Sequence, residues 1–340
     1  MKKNLLLLAI AFSLSAPVFA QQKLCIAFYN QENLFDTIDD PLKNDNEFLP
    51  DAKKGWNTTR YFEKIDHMSK VIAAMNENNA PDILGVCEVE NKNVLQDLTL
   101  SKNLKKSKYQ FIHIEGPDER SIDNALLFKT SLFKVIAQQS IPVVLPDNPD
   151  AKTRDILLVK LETKSKAQLV VLVNHFPSRI GGETASEPKR IAAAAVLRNI
   201  CDSLYRLNVL ENIVIMGDFN DEPTNKSMDS VLRAKANEYD LNNGNLFNAM
   251  YEMKQNNIGS HYYKNHFSTL DQIILSSSIT NCTGLFCYQK SSADVFKESW
   301  MLETTGKYQG APLRTFVGDK YMGGYSDHLP VYVYIHLKKK

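Results

Sequence analysis

The chain has 340 residues, 44% of them hydrophobic and 23% charged, a globular balance with material for a large core. That length permits two domains or one large α/β domain. The formal net charge is +1, so no global field draws the chain to nucleic acid or to an anionic membrane, and nonspecific coating of DNA is disfavoured.

The N-terminus has the order of a secretory signal peptide. Lys2 and Lys3 precede an apolar run over residues 5–12, and Val18, Phe19 and Ala20 supply the cleavage region. We expect cleavage after Ala20 and export to the periplasm or beyond. Cys25 lies too far past the apolar run to serve as a lipid-attachment cysteine. No later run approaches the ~18 apolar residues of a membrane helix.

Residues 24–29 read as a buried strand that runs into Asn30-Gln31-Glu32-Asn33. A polar loop follows over 39–57. Phe62, Ile65, Met68, Ile72 and Met75 recur at helical spacing, so 60–78 is expected to be a helix stopped by Asn79-Ala80-Pro81. Residues 83–87 form the next strand, ending in Glu88, Glu90 and Asn91, and 94–104 a short helix. Strands are expected at 109–114, 125–128, 133–138, 156–162 and 169–173, the last delivering Asn174 and His175. A helix over 187–207 places Ala193, Leu197, Ile200 and Leu204 on one face.

Residues 213–216 are a buried strand ended by Gly217. It carries Asp218 and Asn220 to its carboxyl end and breaks at Pro223, the way an α/β sheet presents polar groups beyond its edge. A further helix is a candidate at 227–234, and the pattern is poor from 242 to 265. Residues 270–275 form a strand carrying Asp271, 285–288 another, and 331–336 the last, entered through Ser326-Asp327-His328. Strands outnumber helices and often follow one another directly, which favours two packed sheets with helices outside.

The five cysteines contain no C-x-x-C pair, so they give neither a zinc signal nor a disulfide framework. Cys25, Cys87 and Cys201 read as small buried hydrophobes. Cys282 and Cys287 are a candidate bridge in an oxidising compartment.

The polar residues standing where apolar strands give out are Asn30, Glu32, Glu88, Asn174, His175, Asp218, Asn220, Asp271, Asp327 and His328. Carboxylates, amides and two histidines, without a nucleophilic Ser or Cys, suit hydrolysis of a phosphate ester by water. A hard divalent cation takes oxygen ligands and offsets developing charge. Histidine titrates near neutrality and can move the proton of the water or leaving group. His67, His113, His261, His266 and His336 carry no motif and read as surface or packing residues.

Together these segments resemble the endonuclease/exonuclease/phosphatase superfamily, with the fold of pancreatic deoxyribonuclease. The carriers are Tyr29-Asn30-Gln31-Glu32-Asn33-Leu34, Val86-Cys87-Glu88-Val89-Glu90-Asn91, Asp123-Asn124-Ala125-Leu126-Leu127-Phe128, Asn174-His175-Phe176, Gly217-Asp218-Phe219-Asn220, Leu270-Asp271-Gln272-Ile273 and Ser326-Asp327-His328-Leu329-Pro330-Val331. The resemblance implies a four-layer α/β sandwich of two mostly antiparallel or mixed sheets flanked by helices, filling residues 21–340 as one domain. It implies Glu88 as the principal metal ligand, with Asn30, Glu32 and Asp327 beside the metal. Asp218 and Asn220 match residues that orient the attacking water or contact the scissile phosphate. His328 paired with Asp271 matches the general base or phosphate-stabilising histidine, and His175 the second catalytic histidine; the choice between Asp218 and His328 as base stays open. Asn174, Arg179, Arg190 and Arg314 are candidates for gripping substrate phosphate, and Tyr308 and Tyr321 for stacking on a base or sugar.

The expected function is that of an exported phosphodiesterase dependent on Mg²⁺, with Mn²⁺ and Ca²⁺ as alternatives. A monomeric nuclease of the endonuclease type, acting on nucleic acid or a nucleotide, fits first. A phosphatase or a sphingomyelinase-type phospholipase is the runner-up, and a non-catalytic surface-binding module the remaining alternative.

Overall fold

A computed structural model describes residues 21–146, 148, 150–237 and 244–338. The expected signal segment, residues 1–20, lies outside the described residues. Strand β1 (Gln22–Leu34) carries through the polar stretch 30–33 before helix α1 (Thr58–Asn78), which Asn57 caps by accepting from the Arg60 amide. Strand β2 (Ile83–Val89) leads to helix α2 (Lys92–Leu100), capped by Asn91. Then come β3 (Tyr109–His113), β4 (Asp123–Lys129), β5 (Phe133–Ile141), β6 (Ile156–Thr163), β7 (Gln168–His175), helix α3 (Glu183–Leu207) and β8 (Ile213–Asp218). The C-terminal third is built from shorter pieces: β9 (Ala234–Lys235), β10 (Leu246–Asn248), β11 (His261–Tyr263), β12 (His266–Ser268), β13 (Asp271–Ser276), β14 (Phe286–Tyr288), β15 (Asp294–Val295), β16 (Phe316–Val317), β17 (Lys320–Tyr321) and β18 (Val331–Leu337).

Two sheets of seven strands form the frame. The first runs β14–β18–β1–β2–β4–β3, with β15 also on β18; the second runs β5–β6–β7–β8–β13–β10–β9. The pairs β1/β2, β7/β8 and β9/β10 are parallel, and the other pairs within these two sheets are antiparallel. Alternation along β7 and β8 sorts their side chains between two cores. Leu169, Val171, Val173, Val214 and Met216 face the first sheet, while Val170, Leu172, Ile213 and Ile215 face α3 through Ala193, Ala194, Leu197 and Cys201. Helix α1 buries Ile65, Met68, Ile72 and Met75 in the core of the first sheet. The result is the expected four-layer α/β sandwich.

Several local expectations are corrected. Phe62 is exposed, because Tyr61 and Lys64 fill the inner stripe of α1 on that side. Helix α2 stops at Leu100 rather than at 104, and 227–234 holds a single π-helical turn, Ser227–Val231, before β9. The poorly patterned stretch 242–265 contains β10, a helical turn at Tyr251–Gln255 and β11, all too short to show a period. Cys282 and Cys287 are disulfide-bonded, and Cys25, Cys87 and Cys201 are free and buried. No helix among the described residues is long and apolar enough to cross a membrane.

Candidate active site

Three neighbouring strands of the second sheet set out half of the site. Parallel register places His175 of β7 beside Asp218 of β8, and antiparallel register places Asp271 of β13 on the other side of Asp218. Gly217 permits this approach: a Cβ there would run into the carbonyl of Asn174, its register partner. The first sheet supplies the rest. Asn30 pairs with Cys87 in the β1–β2 register, and Glu88 follows where the β2–β4 pairing bulges. Asp327 and His328 lie just before β18, the strand beside β1. Glu32, Asn33, Glu88 and Asn220 adopt φ of 47°, 54°, 57° and 50°, in the left-handed region that side chains seldom occupy. Such backbone costs about 1–3 kcal/mol per residue and persists where the surroundings dictate it, often at functional sites.

His328 is the centre of the acid–base half. Its Nδ1 lies 2.6 Å from Asp271 Oδ2, and Ser260 Oγ donates to the same oxygen. Its Nε2 lies 3.8 Å from Asp218 Oδ2. Burial disfavours a charged ring, but the Asp271 and Asp218 carboxylates outweigh burial and hold the His328 pKa well above the usual histidine value. The His261 ring packs on His328 with centres 4.7 Å apart. Burial first, then the His328 charge, lower the His261 pKa to about 4, so the two rings do not compete for charge. Burial raises Asp218 to about 7 against the pull of His328. On the other flank, His175 Nε2 lies 3.8 Å from both Asp218 Oδ2 and Glu88 Oε1. Burial, reinforced by Arg154, holds His175 neutral. Arg154 is itself buried, pairs with Asp118 at 3.2 Å and donates to the Phe176 carbonyl at 2.6 Å, one residue from His175.

The second half is rich in carboxylate. Glu88 accepts from the Asn33 amide at 3.0 Å and from Asn30 Nδ2 at 3.3 Å. Asn30 Nδ2 also reaches Asp218 Oδ2 at 3.2 Å, while its Oδ1 accepts from the Glu32 amide at 2.9 Å. Asn30 therefore ties Glu88 to Asp218. Glu32 accepts from the Thr315 amide at 2.7 Å and faces Arg314 at 3.5 Å and Lys64 at 3.9 Å. Asp327 pairs with Arg314 at 2.7 Å. Lys64 is fully buried and donates to Thr315 Oγ1 at 2.5 Å and to the Tyr325 carbonyl at 2.7 Å. Burial and Asp327 raise Glu32 to about 7, and burial lowers Lys64 to about 8. The carboxylates Glu88, Glu32 and Asp327 are hard oxygen donors, the chemistry a divalent cation such as Mg²⁺ requires. Glu32 is already engaged by backbone and internal cations, which leaves Glu88 the better-placed ligand.

The remaining expected residues divide. Asn220 donates its backbone amide to Asp218 Oδ1 at 2.9 Å and its side-chain amide to the Phe176 carbonyl at 3.1 Å, so it orients Asp218. Asn174 is buried, donates to the carbonyls of Leu172 and Met216, and joins β7 to β8. Arg179 is partly exposed, with Nε on the Asn220 carbonyl at 2.7 Å. Arg190 does not join the site surface. It is fully buried, paired with Asp221 at 2.7 Å and bonded to Ser186 Oγ and the Glu183 carbonyl. Tyr321 packs against Trp56 and Phe316, and Tyr308 is exposed. Sequence reasoning missed His261, Ser260, Lys64 and Arg154. Only Lys64 carried a signal, its position on the inner stripe of α1 four residues before Met68.

Residues 25–338 match a family model described as the endonuclease/exonuclease/phosphatase family. The chain belongs to this family. Members of the endonuclease/exonuclease/phosphatase family hydrolyse phosphoester bonds, and this chain is a hydrolase of that kind. No curated protein matches it. Among solved structures, it is similar to an endonuclease/exonuclease/phosphatase family protein from Bacteroides thetaiotaomicron (18% identity, 94% of this chain and 100% of that one, TM-score 0.54). It is also similar to the human Nocturnin catalytic domain with bound sulfate (19% identity, 94% and 98%, TM-score 0.54). A humanized D. rerio TDP2 matches at 15% identity over 92% of this chain and 98% of that one, with a TM-score of 0.56. At these identities the likeness is one of fold.

Proposed function

We propose that the protein is an exported, monomeric, metal-dependent phosphodiesterase, a nuclease of the endonuclease type. The observation that carries this reading is Asp218, flanked at 3.8 Å by a charged His328 and a neutral His175, with Glu88 close by. The family is divalent-metal dependent, and among the described residues Asp218, Asp271 and His328, and His261, Asp327 and His328, stand close enough to hold an ion; Glu88 belongs to neither group, and its assignment rests on its oxygen chemistry and on the family resemblance. We assign Mg²⁺, held by Glu88 with Asp327 in support; when bound, it polarises the phosphoryl oxygen and offsets developing charge.

The protein's own groups divide the proton work. A carboxyl raised to about 7 is a competent base at neutral pH, so Asp218 accepts the proton of the attacking water. His328 already holds its proton and is fixed by Asp271, so it donates to a phosphoryl oxygen. Neutral His175 orients the phosphate from the other flank. Arg179 and Arg314, both part-exposed, suit the neighbouring anionic backbone. Export is supported by the N-terminal pattern and by the Cys282–Cys287 bridge, a bond that persists in oxidising compartments.

The test is a substrate panel of plasmid DNA, RNA, a nucleotide diester, sphingomyelin and a sugar phosphate, each with Mg²⁺ and with EDTA. Metal-dependent cleavage of the nucleic acids is expected. Turnover of the monoester alone would reassign the protein as a phosphatase.

A further inference from the structure

Beside the candidate active site lies a second cleft of about 360 Å³. It shares Glu32, Asn33 and Arg314 with that site and extends onto the loop after β1 and the segment around β16. Part of its wall is aromatic. Phe48 stacks on Phe35 with ring centres 4.3 Å apart and planes 3° from parallel, and Phe316 stands edge-on to Phe48 at 6.4 Å.

The cleft also presents three cations, and their neutralisation differs. Arg314 is matched by Glu32 and Asp327. Lys54 is matched by Glu47 and Asp319 at 3.3 and 3.5 Å. Arg120 pairs with Asp118 at 3.3 Å, but Asp118 also serves the buried Arg154 at 3.2 Å. One carboxylate thus faces two guanidiniums, and the surplus charge sits on Arg120, whose side chain is 48% exposed in the cleft. An under-neutralised guanidinium recognises phosphate through its fork of donors, and an aromatic wall accepts a flat ring.

We propose that this cleft is a substrate subsite that takes a second phosphate, carried next to the scissile ester, with the adjoining ring against Phe48. The inference rests on the phosphodiesterase reading and narrows its substrate class to esters bearing a second phosphate. That phosphate comes either from the next link of an oligonucleotide or from a nucleotide pyrophosphate.

Steady-state kinetics on dithymidylate and its terminally phosphorylated forms, which share one scissile bond, read the subsite. A dinucleoside pyrophosphate forms the second arm and distinguishes the two sources. The wild type is expected to favour the phosphorylated dinucleotides by about tenfold or more in kcat/KM, through KM. Arg120→Gln removes that preference while cleaving plain dithymidylate within about threefold of wild type. Equal kcat/KM for plain and phosphorylated substrates in the wild type overturns the proposal, as does a preference that survives both Arg120→Gln and Arg120→Glu. If none of these dinucleotides, plain or phosphorylated, is cut, the phosphodiesterase reading fails by itself, and calorimetry with thymidine 3′,5′-bisphosphate still reports on the cleft. Binding weakened about fivefold or more by Arg120→Gln supports the subsite, since a lost charge-assisted contact has that size. Unchanged binding overturns it.

Discussion

His328 Nδ1 and Asp271 Oδ2 meet at 2.6 Å across 57 residues of sequence, with Ser260 on the same buried oxygen. A carboxylate in that position fixes the ring tautomer and sustains its charge. Asp271→Asn should therefore lower kcat by about 10²–10⁴-fold with little change in KM, the range for a disabled acid–base group. Steady-state kinetics on a diester substrate check this. A loss confined to KM would contradict the role given to the pair.

The same pair predicts a pH dependence in protein stripped of metal. The folded-state pKa of His328 lies above its usual 6.5, so the charged ring stabilises the fold. That contribution is fully present below the unfolded-state value and is lost as pH rises through the folded-state value. The Tm of EDTA-treated protein should accordingly fall from neutral to alkaline pH, and Asp271→Asn should flatten the fall. Calorimetry over a pH series, with histidine NMR to follow the ring, provides the measurement. A Tm profile of wild type indistinguishable from that of the variant would count against the assignment.

Lys64 is an internal counter-charge for Glu32. Lys64→Met should destabilise the protein by about 3–5 kcal/mol, because it leaves the buried Glu32 carboxylate with Arg314 as its remaining cation and removes the donor to Thr315 Oγ1 and the Tyr325 carbonyl. Adding Glu32→Gln should recover much of that loss. Urea unfolding of the two single variants and the double variant measures the coupling; strictly additive effects would show that the two groups act independently.

Arg190, expected from sequence to bind phosphate, is instead placed to hold Asp221 beneath the site. Arg190→Ala should reduce stability by about 3–5 kcal/mol, as breaking a buried pair does, and leave KM unchanged. An intact Tm with a raised KM would return Arg190 to the substrate.

Much of this arrangement is legible in the sequence. Strands that run out at Glu88, His175 and Asp218, and the one that begins at Asp271, announce themselves by β-branched runs bounded by polar residues, and register does the rest. Partnership was harder to read. Asn30 reads from the sequence as a residue beside the metal; that it ties Glu88 to Asp218 is a matter of which way an amide turns across a bulge. His261 was missed because three-residue strands have no period to detect, and its stacking on His328 is made by the hairpin β11–β12 folding back. Arg190 misleads because a charged residue near a motif looks available until its place on the inner face of α3 is seen. Residue types at strand ends are a local signal; the partner of each charge is decided by packing between sheets.

The most direct test compares purified wild type with Glu88→Gln on bis(p-nitrophenyl) phosphate while Mg²⁺ is titrated into EDTA-treated protein. The account predicts turnover that appears only with the metal in wild type and that falls by about 10²-fold or more in the variant, whose Tm is unchanged. Turnover that persists in EDTA, or that Glu88→Gln leaves intact, would contradict it.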